Sequence, residues 1–389
     1  MTAAGALAAA LAPAAPRPTP FRVAARDAAS AARRGELRTA HAAVETPTFM
    51  PVATAGTVKG ITPRQLRDAG AQIVLANAYH LSLRPGVDTV EAMGGLHRFM
   101  GWDGAILTDS GGYQIMSLAP LRTLTDEGVR FQSHLDGSRL FLTPEDVVTR
   151  QRQLGVDILM PLDECVPADA AAAAVERAMR RTTAWLERSG RVEIGADRHL
   201  FGIVQGGLDA ALRREHAARL AALGHPGYAV GGLSVGEERS VTREVAAVTA
   251  AALPDDRPRY LMGVGLPQDL LRFIGMGYDL FDCVLPTRNG RNGTCFTAAG
   301  RVNMRLARHA RDAQPIDPTC DCEVCRTFSR AYVRHLSVAG EMLGAQLASL
   351  HNLHFYLRLM TEARVHIAAG DYAAWAAARA DAMDAGERA

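Results

Sequence analysis

The sequence predicts an α/β chain folded as a (β/α)8 barrel. Three observations predict it. Short apolar runs alternate with helix-like stretches of about 10–15 residues, the signature of parallel βαβ units. The alternation continues for so many units that a closed barrel fits better than an open sheet. Six of the apolar runs end in polar residues or glycines, at Asp109, Asp163, Gln205, Gly231–Gly232, Gly263–Gly265 and Asp282. In a barrel those ends line one mouth, where chemistry takes place.

The elements follow in order. Phe21 to Phe49 reads as short strands and turns, because apolar and polar residues alternate in "GELRTAHAAVETPTFMPVAT". "TPRQLRDAG" opens a helix with Thr62 as cap and Pro63 at its first position, and Gly70 closes it. "QIVLANAYHL", "GAILTDSGG", "VDILMPLDEC", "HLFGIVQGG", "GYAVGGLSVG", "RYLMGVG" and "YDLFDCVLP" are the strand candidates. Helices lie between them, among them "TPEDVVTRQRQLG" and a long Ala/Arg stretch from Ala168 to Ser189. We expect a disordered extension over residues 1–20 and a barrel domain over 21–370. A tail, helical at the edge, follows over residues 371–389.

Composition excludes several classes. With 389 residues, 48% hydrophobic and 22% charged, the chain is neither disordered nor a membrane protein. Met1–Pro20 is rich in Ala and Pro but lacks the basic start and dense apolar core of a secretory signal, so a cytoplasmic location is expected. The net charge of +2 says little about partners, since a nucleic-acid binder needs positive charge along one face only. Lys59 is the only lysine, so any grip on phosphate must use arginine or backbone N–H groups.

Of six cysteines, Cys320, Cys322 and Cys325 crowd together, and a disulfide scaffold does not suit a chain of this size without an export signal. Three thiolates in a tight knuckle plus one imidazole would give zinc its tetrahedral shell, and a closed shell of that kind is structural. His351 in "LASLHNLHFYLRLM" supplies the fourth ligand on this reading, but His335 and His354 compete with it on spacing alone.

Three aspartates stand at strand ends. Asp109 precedes Ser110-Gly111-Gly112, whose glycines let backbone approach a ligand. Asp163 follows a buried run, and Asp282 precedes the Arg/Asn/Gly segment "TRNGRNG", which suits phosphate contacts. Two carboxylates across one site can break a glycosidic bond, and a third can accept from a purine's N1–H and amine. Each aspartate alone would equally suit a turn or a helix cap.

At this point the strings "DSGGYQ", "DEC", "GIVQGG", "YAVGGLSVGE", "RYLMGVG", "FDCVLPTRNGRNGT", the cysteine knuckle and "HNLHFYLRLM" resemble the bacterial tRNA-guanine transglycosylase family, in order and in spacing, from about Phe21 to Met360. The resemblance implies exchange of guanine at the wobble position of tRNAs with GUN anticodons for 7-aminomethyl-7-deazaguanine, in queuosine synthesis. It implies Asp282 as nucleophile and Asp109 as proton acceptor. Asp109, Ser110, Gly111, Gly112, Tyr113, Asp163, Gln205, Gly232, Leu233 and Met262 match the base-binding set, with Tyr113 and Met262 enclosing the flipped base. Cys165 and Val235 match the bacterial specificity pattern, and Glu237 would orient the peptide near Leu233. Gly263, Val264, Gly265, Leu266, Pro267, Gln268 and Asp269 match one RNA-contacting loop, and Thr287, Arg288, Asn289, Gly290 and Arg291 the other. Also implied are a zinc-binding subdomain inserted near the C-terminal end of the barrel at about 300–355, one structural Zn2+ on Cys320, Cys322, Cys325 and His351, and a homodimer.

Pro161 departs from the family pattern and removes one strand N–H. Two other functions fit parts of the sequence: an inactive tRNA-binding accessory protein, against which both Asp282 and Asp109 argue, and a nucleoside or glycoside hydrolase, which leaves the Arg segment and the knuckle unexplained.

Overall fold

The computed structural model describes residues 19–112, 122–133 and 137–388. Tyr113, and all of the N-terminal extension before Thr19, lie outside the described residues.

The chain opens with an antiparallel sheet of β1 (Phe21–Arg26), β2 (Arg33–Arg38) and β3 (Ala43–Thr46). Its buried Phe21, Leu37 and Val44 cluster with Ile73, Ala105, Ile158 and Leu280. Each of those four is the first residue of a barrel strand, so the small sheet covers the barrel's N-terminal end.

The barrel begins with β4 (Thr48–Ala53), β5 (Ile73–Asn77) and β6 (Ala105–Asp109). An antiparallel excursion follows, β7 (Arg122–Leu124), β8 (Val129–Gln132) and β9 (Arg139–Leu142). Then come β10 (Ile158–Leu159), β11 (His199–Leu200), β12 (Gly202–Val204), β13 (Tyr228–Val230), β14 (Arg259–Leu261) and β15 (Leu280–Cys283). The barrel strands pair in parallel, and β15 returns to pair with β4. Only β11 and β12 stand at the sheet's ends, and a single residue separates them. The Phe201 N–H bonds to Leu159 at 3.1 Å on one side, and the Gly202 N–H to Gly227 at 3.0 Å on the other. One interrupted strand therefore joins both edges, and the ring closes with eight strands, as the sequence predicts.

Local chemistry sets the element ends. Thr62 and Gln65 form a reciprocal capping box at the helix Pro63–Asp68, and Thr143 with Asp146 does the same at Pro144–Leu154. "QIVLANAYHL" does not continue as a strand. Asn77 accepts the His80 N–H at 3.0 Å and starts a helix at Ala78. Gln151 replaces the ladder before Pro161: its Oε1 accepts the Met160 N–H at 2.9 Å, and its Nε2 donates to the Met160 carbonyl at 2.7 Å.

After β15 the chain forms a short helix (Leu285–Arg291), a hairpin of β16 (Thr294–Thr297) and β17 (Gly300–Asn303), and the helices Glu323–Thr327 and Arg330–Ala339. The long helix Met342–Ala369 then packs back on β4 and on the helix Leu285–Arg291. The last segment is a helix, Tyr372–Arg388, whose Tyr372 hydroxyl donates to the Leu271 carbonyl at 2.6 Å. Among the described residues no helix is long and apolar enough to cross a membrane.

Candidate active site

All three aspartates stand at or just beyond the C-terminal ends of barrel strands. Asp109 is the last residue of β6, paired in register with Asn77, the last residue of β5. The Asn77 amide donates to Asp109 Oδ2 at 2.6 Å, which fixes the carboxylate's direction. Asp282 lies in β15 beside β14. Its Oδ1 accepts the Tyr260 hydroxyl at 2.6 Å and the Gly263 N–H at 2.8 Å. Burial raises the Asp282 pKa, and these two donors pull it back toward the charged form. Burial and the charges of both Asp282 and Asp109 push the Tyr260 pKa up. Tyr260 therefore stays a hydrogen-bond donor, and it senses the two carboxylates from one interior position.

Asp163 sits just past β10. Its Oδ2 accepts the Gln205 amide at 2.7 Å. Burial pushes its pKa up to about 6, despite hydrogen bonds from Gln205, the backbone and Ser110. Ser110 Oγ also accepts the Gly112 N–H at 3.2 Å. Gly112 is a point of close approach, since a Cβ there would stand 2.5 Å from Asp163 Oδ1. Gly232 follows β13 at φ +66, and a Cβ would stand 2.5 Å from Gln205 Oε1. A side chain at either position would displace the Asp163 carboxylate or the Gln205 amide.

The structure thus brings together Ser110, Gly112, Asp163, Gln205 and Gly232. Gly111 is part of the same turn and packs on Tyr79. Met262 is half-buried at the end of β14, against the inner core. Leu233 and Cys165 are buried, and Val235 is half-buried. Glu237 holds the loop between them: its carboxylate accepts the N–H groups of Ser234 and Val235 and the Thr242 hydroxyl. Burial opposes its charge, but these donors lower its pKa overall.

The two expected RNA-contacting segments are less open than loops. Pro267–Gly275 is a helix, so of the first segment only Gly263 is exposed and Leu266 half-buried, while Val264, Gly265, Pro267, Gln268 and Asp269 are buried. Asp269 is engaged by Arg239 at 2.9 Å and Arg243 at 3.3 Å. The second segment lies in the helix Leu285–Arg291, with Pro286 in its first turn. Thr287 and Gly290 are buried, Arg288 and Arg291 face solvent, and Asn289 is half-buried.

The cysteine knuckle and His351 meet, with one ligand atom from each of the four residues lying within 4.8 Å of the others. His351 Nδ1 stands 3.6 Å from the Cys322 sulfur and 3.3 Å from the Cys325 sulfur. Those spacings suit the edges of a zinc tetrahedron, on the order of 3.5 Å for ordinary Zn–S and Zn–N bonds. His351 Nε2 lies 2.8 Å from the Phe296 carbonyl. A carbonyl can only accept, so Nε2 carries the proton and Nδ1 presents its lone pair to the thiols. Hydrogen bonds from Cys320 and Cys325 hold the Cys322 thiol well below its ordinary value. The donor set fits zinc and leaves no place for substrate. His354, the rival on spacing, pairs instead with Asp321 at 3.0 Å.

Sequence reading missed Asn77, Tyr260 and Arg213. Asn77 stands inside a run read wholly as strand, and Tyr260 is an aromatic in an apolar strand. Arg213 lies among several arginines of an exposed-looking helix, yet its guanidinium is buried under the loops that carry Gln205 and Gly232. No pattern marked any of the three.

A profile of the family described as queuine tRNA-ribosyltransferase matches residues 27–385. Curated relatives carry the same description. That of Solidesulfovibrio magneticus is 54% identical, over 89% of this chain and 93% of its own length. That of Symbiobacterium thermophilum is 52% identical, over 93% and 91%. That of Nitrosomonas eutropha is 52% identical, over 88% and 94%. With a barrel of eight strands, aspartates at its C-terminal mouth, a Cys3His cluster after the eighth strand and these matches along nearly its whole length, the chain belongs to the queuine tRNA-ribosyltransferase family.

Proposed function

We propose that this chain is a tRNA-guanine transglycosylase that exchanges guanine at the wobble position of GUN-anticodon tRNAs for 7-aminomethyl-7-deazaguanine. The observation that carries this reading is the presence at one barrel mouth of two differently held carboxylates that both act on Tyr260, Asp282 on Tyr260 and Gly263, and Asp109 on Asn77, together with the Asp163–Gln205 pair.

The Asp282 carboxylate attacks C1′ of the ribose as the bond to N9 breaks. The bonding pair leaves with guanine, and Asp109 supplies the proton to N9. In the second half, Asp109 takes the N9 proton of the incoming base as N9 attacks C1′, and the Asp282 carboxylate is released. Two displacements at one carbon leave its configuration unchanged. Asp163 accepts from N1–H and the exocyclic amine. Gln205 and the Gly232 N–H donate to the O6 and N7 edge. Adenine leaves these groups unpaired, at about 1–3 kcal/mol for each. Ser110, Gly111, Gly112, Leu233 and Met262 wall the base. Cys165 and Val235 leave room for the aminomethyl group, beside the peptide that Glu237 holds. Arg288 and Arg291 contact the anticodon loop, whose unstacked bases are splayed out at low cost. The exposed backbone at Gly263 lies beside the same path.

Zinc on Cys320, Cys322, Cys325 and His351 supplies structure to the inserted subdomain. A homodimer is supported by exposed apolar residues near the same subdomain, Tyr332, Val338, Met342 and Leu343. The working location is the cytoplasm, where tRNA is found.

The test is a trapped adduct. Incubated with tRNA and no free base, the intact chain forms an RNA–protein band stable to denaturation, and Asp282→Asn forms none. An intact chain without that band, or one that processes free guanosine as well as tRNA, overturns the reading.

A further inference from the structure

Arg213 lies near the start of the helix Ala210–Ala221, and its side chain is fully buried. Its guanidinium has no carboxylate partner among the described residues. Its donors go to four backbone carbonyls instead. Nε donates to Gly207 at 2.8 Å and Nη1 to Val204 at 3.1 Å. Nη1 also donates to Gly231 at 2.7 Å, and Nη2 to Gly232 at 3.1 Å. Two of those carbonyls belong to the strand end and loop that carry Gln205, the other two to the turn after β13.

A buried charge without a counter-charge costs several kcal/mol unless its hydrogen bonds are complete. Burial pushes the Arg213 pKa down to about 10, which leaves it cationic at neutral pH. Such a group is not needed to fill the core, because a methionine of similar length would do so without the cost.

The planarity of the peptide bond gives the arrangement its direction. In a trans peptide the C=O and the following N–H point opposite ways. Holding the Gly231 carbonyl toward Arg213 therefore turns the Gly232 N–H away from it. Holding the Gly232 carbonyl does the same to the Leu233 N–H. The positive charge behind these carbonyls also polarises both peptides and strengthens their N–H groups as donors.

We infer that Arg213 is a positioning residue for base recognition, aiming the Gly232 and Leu233 N–H groups at the O6 side of the purine and strengthening them as donors. This rests on the function proposed above. When guanine departs, negative charge spreads from N9 onto O6, and a donor backed by a cation meets it there.

The test compares guanine with 2-aminopurine, a purine that lacks O6, as competitors of base exchange. In Arg213→Met the inhibition constant for guanine rises about tenfold, the worth of one weakened hydrogen bond. That for 2-aminopurine stays within about twofold on the same bookkeeping. Arg213→Lys, which keeps the charge but reaches fewer carbonyls, falls between and carries the test if the methionine variant does not fold. Equal weakening of both bases, or no change for either in a folded variant, overturns the inference. A wild-type chain that does not bind guanine at all counts against the proposed function instead.

Discussion

Asp163 is held in a form that costs the free protein stability. Burial pushes its pKa up to about 6, well above the unfolded carboxylate value of about 3.9. A raised carboxylate pKa means the native state favours the proton, so this residue opposes folding increasingly as pH rises from about 4 to about 6, and fully above that. A rise of that size corresponds to an upper bound of about 3 kcal/mol. We therefore expect Asp163→Asn to raise the melting temperature at pH 7 more than at pH 4 while abolishing guanine binding. In the wild type, guanine affinity should fall as pH drops below about 6, because the protonated acid no longer accepts from both N1–H and the amine. A calorimetric series across that range checks both. The three aspartates were legible in the sequence because they end apolar runs. Asn77 and Tyr260 were not, because the partner of a strand-end carboxylate is set by register with the next strand, and register is a long-range property.

Among the elements, the long helix Met342–Ala369 joins two structures. It carries His351 to the knuckle, and Asn352 beside it donates to the Pro286 carbonyl at 2.9 Å and the Thr294 carbonyl at 3.0 Å. Its Ser349 packs so closely on Gly290 that a Cβ there would stand 2.6 Å from the Ser349 nitrogen. Replacing Cys322 with serine should lower metal content below one zinc per chain and lower the melting temperature by several degrees, measured together by elemental analysis and calorimetry. Full zinc content with an unchanged melting temperature would remove Cys322 from the ligand set. Gly290→Ala should weaken tRNA binding through the displaced helix Leu285–Arg291 with base affinity unchanged, read from separate titrations of tRNA and guanine. Helices with cap signals, such as those after Thr62 and Thr143, were readable from sequence because a cap is local. The first barrel strand, β4, was not separated from the sheet before it, because Thr48–Ala53 is buried almost throughout and shows no strict alternation.

For the whole molecule, acid stability depends on the barrel's N-terminal end. Buried Asp157 accepts His41 at 2.8 Å, His97 at 3.1 Å and the Ile106 N–H at 2.8 Å, and the two imidazoles stack at 3.5 Å. Burial raises the Asp157 pKa, but these hydrogen bonds outweigh it and the carboxyl ends below its ordinary value. A lowered carboxylate pKa stabilises the fold above the unfolded value of about 3.9, and that contribution is lost as pH falls through the folded value. The melting-temperature gap between wild type and Asp157→Asn should be constant near neutrality and close below about pH 4. A gap independent of pH would mean that Asp157 acts by packing alone. The closure of the ring also fixes when the protein can form. Asp282 is paired with Met50, and the helix that covers β4 ends only at Ala369. At about 5–20 residues per second, the first strand leaves the ribosome many seconds before its last neighbour exists. Until then Phe49 and Met50, both fully buried in the finished barrel, lack the neighbours they find in β15. The emerging chain is thus exposed to chaperones and proteases through most of its synthesis, and its yield in a cell is set by that interval as well as by the stability of the finished ring.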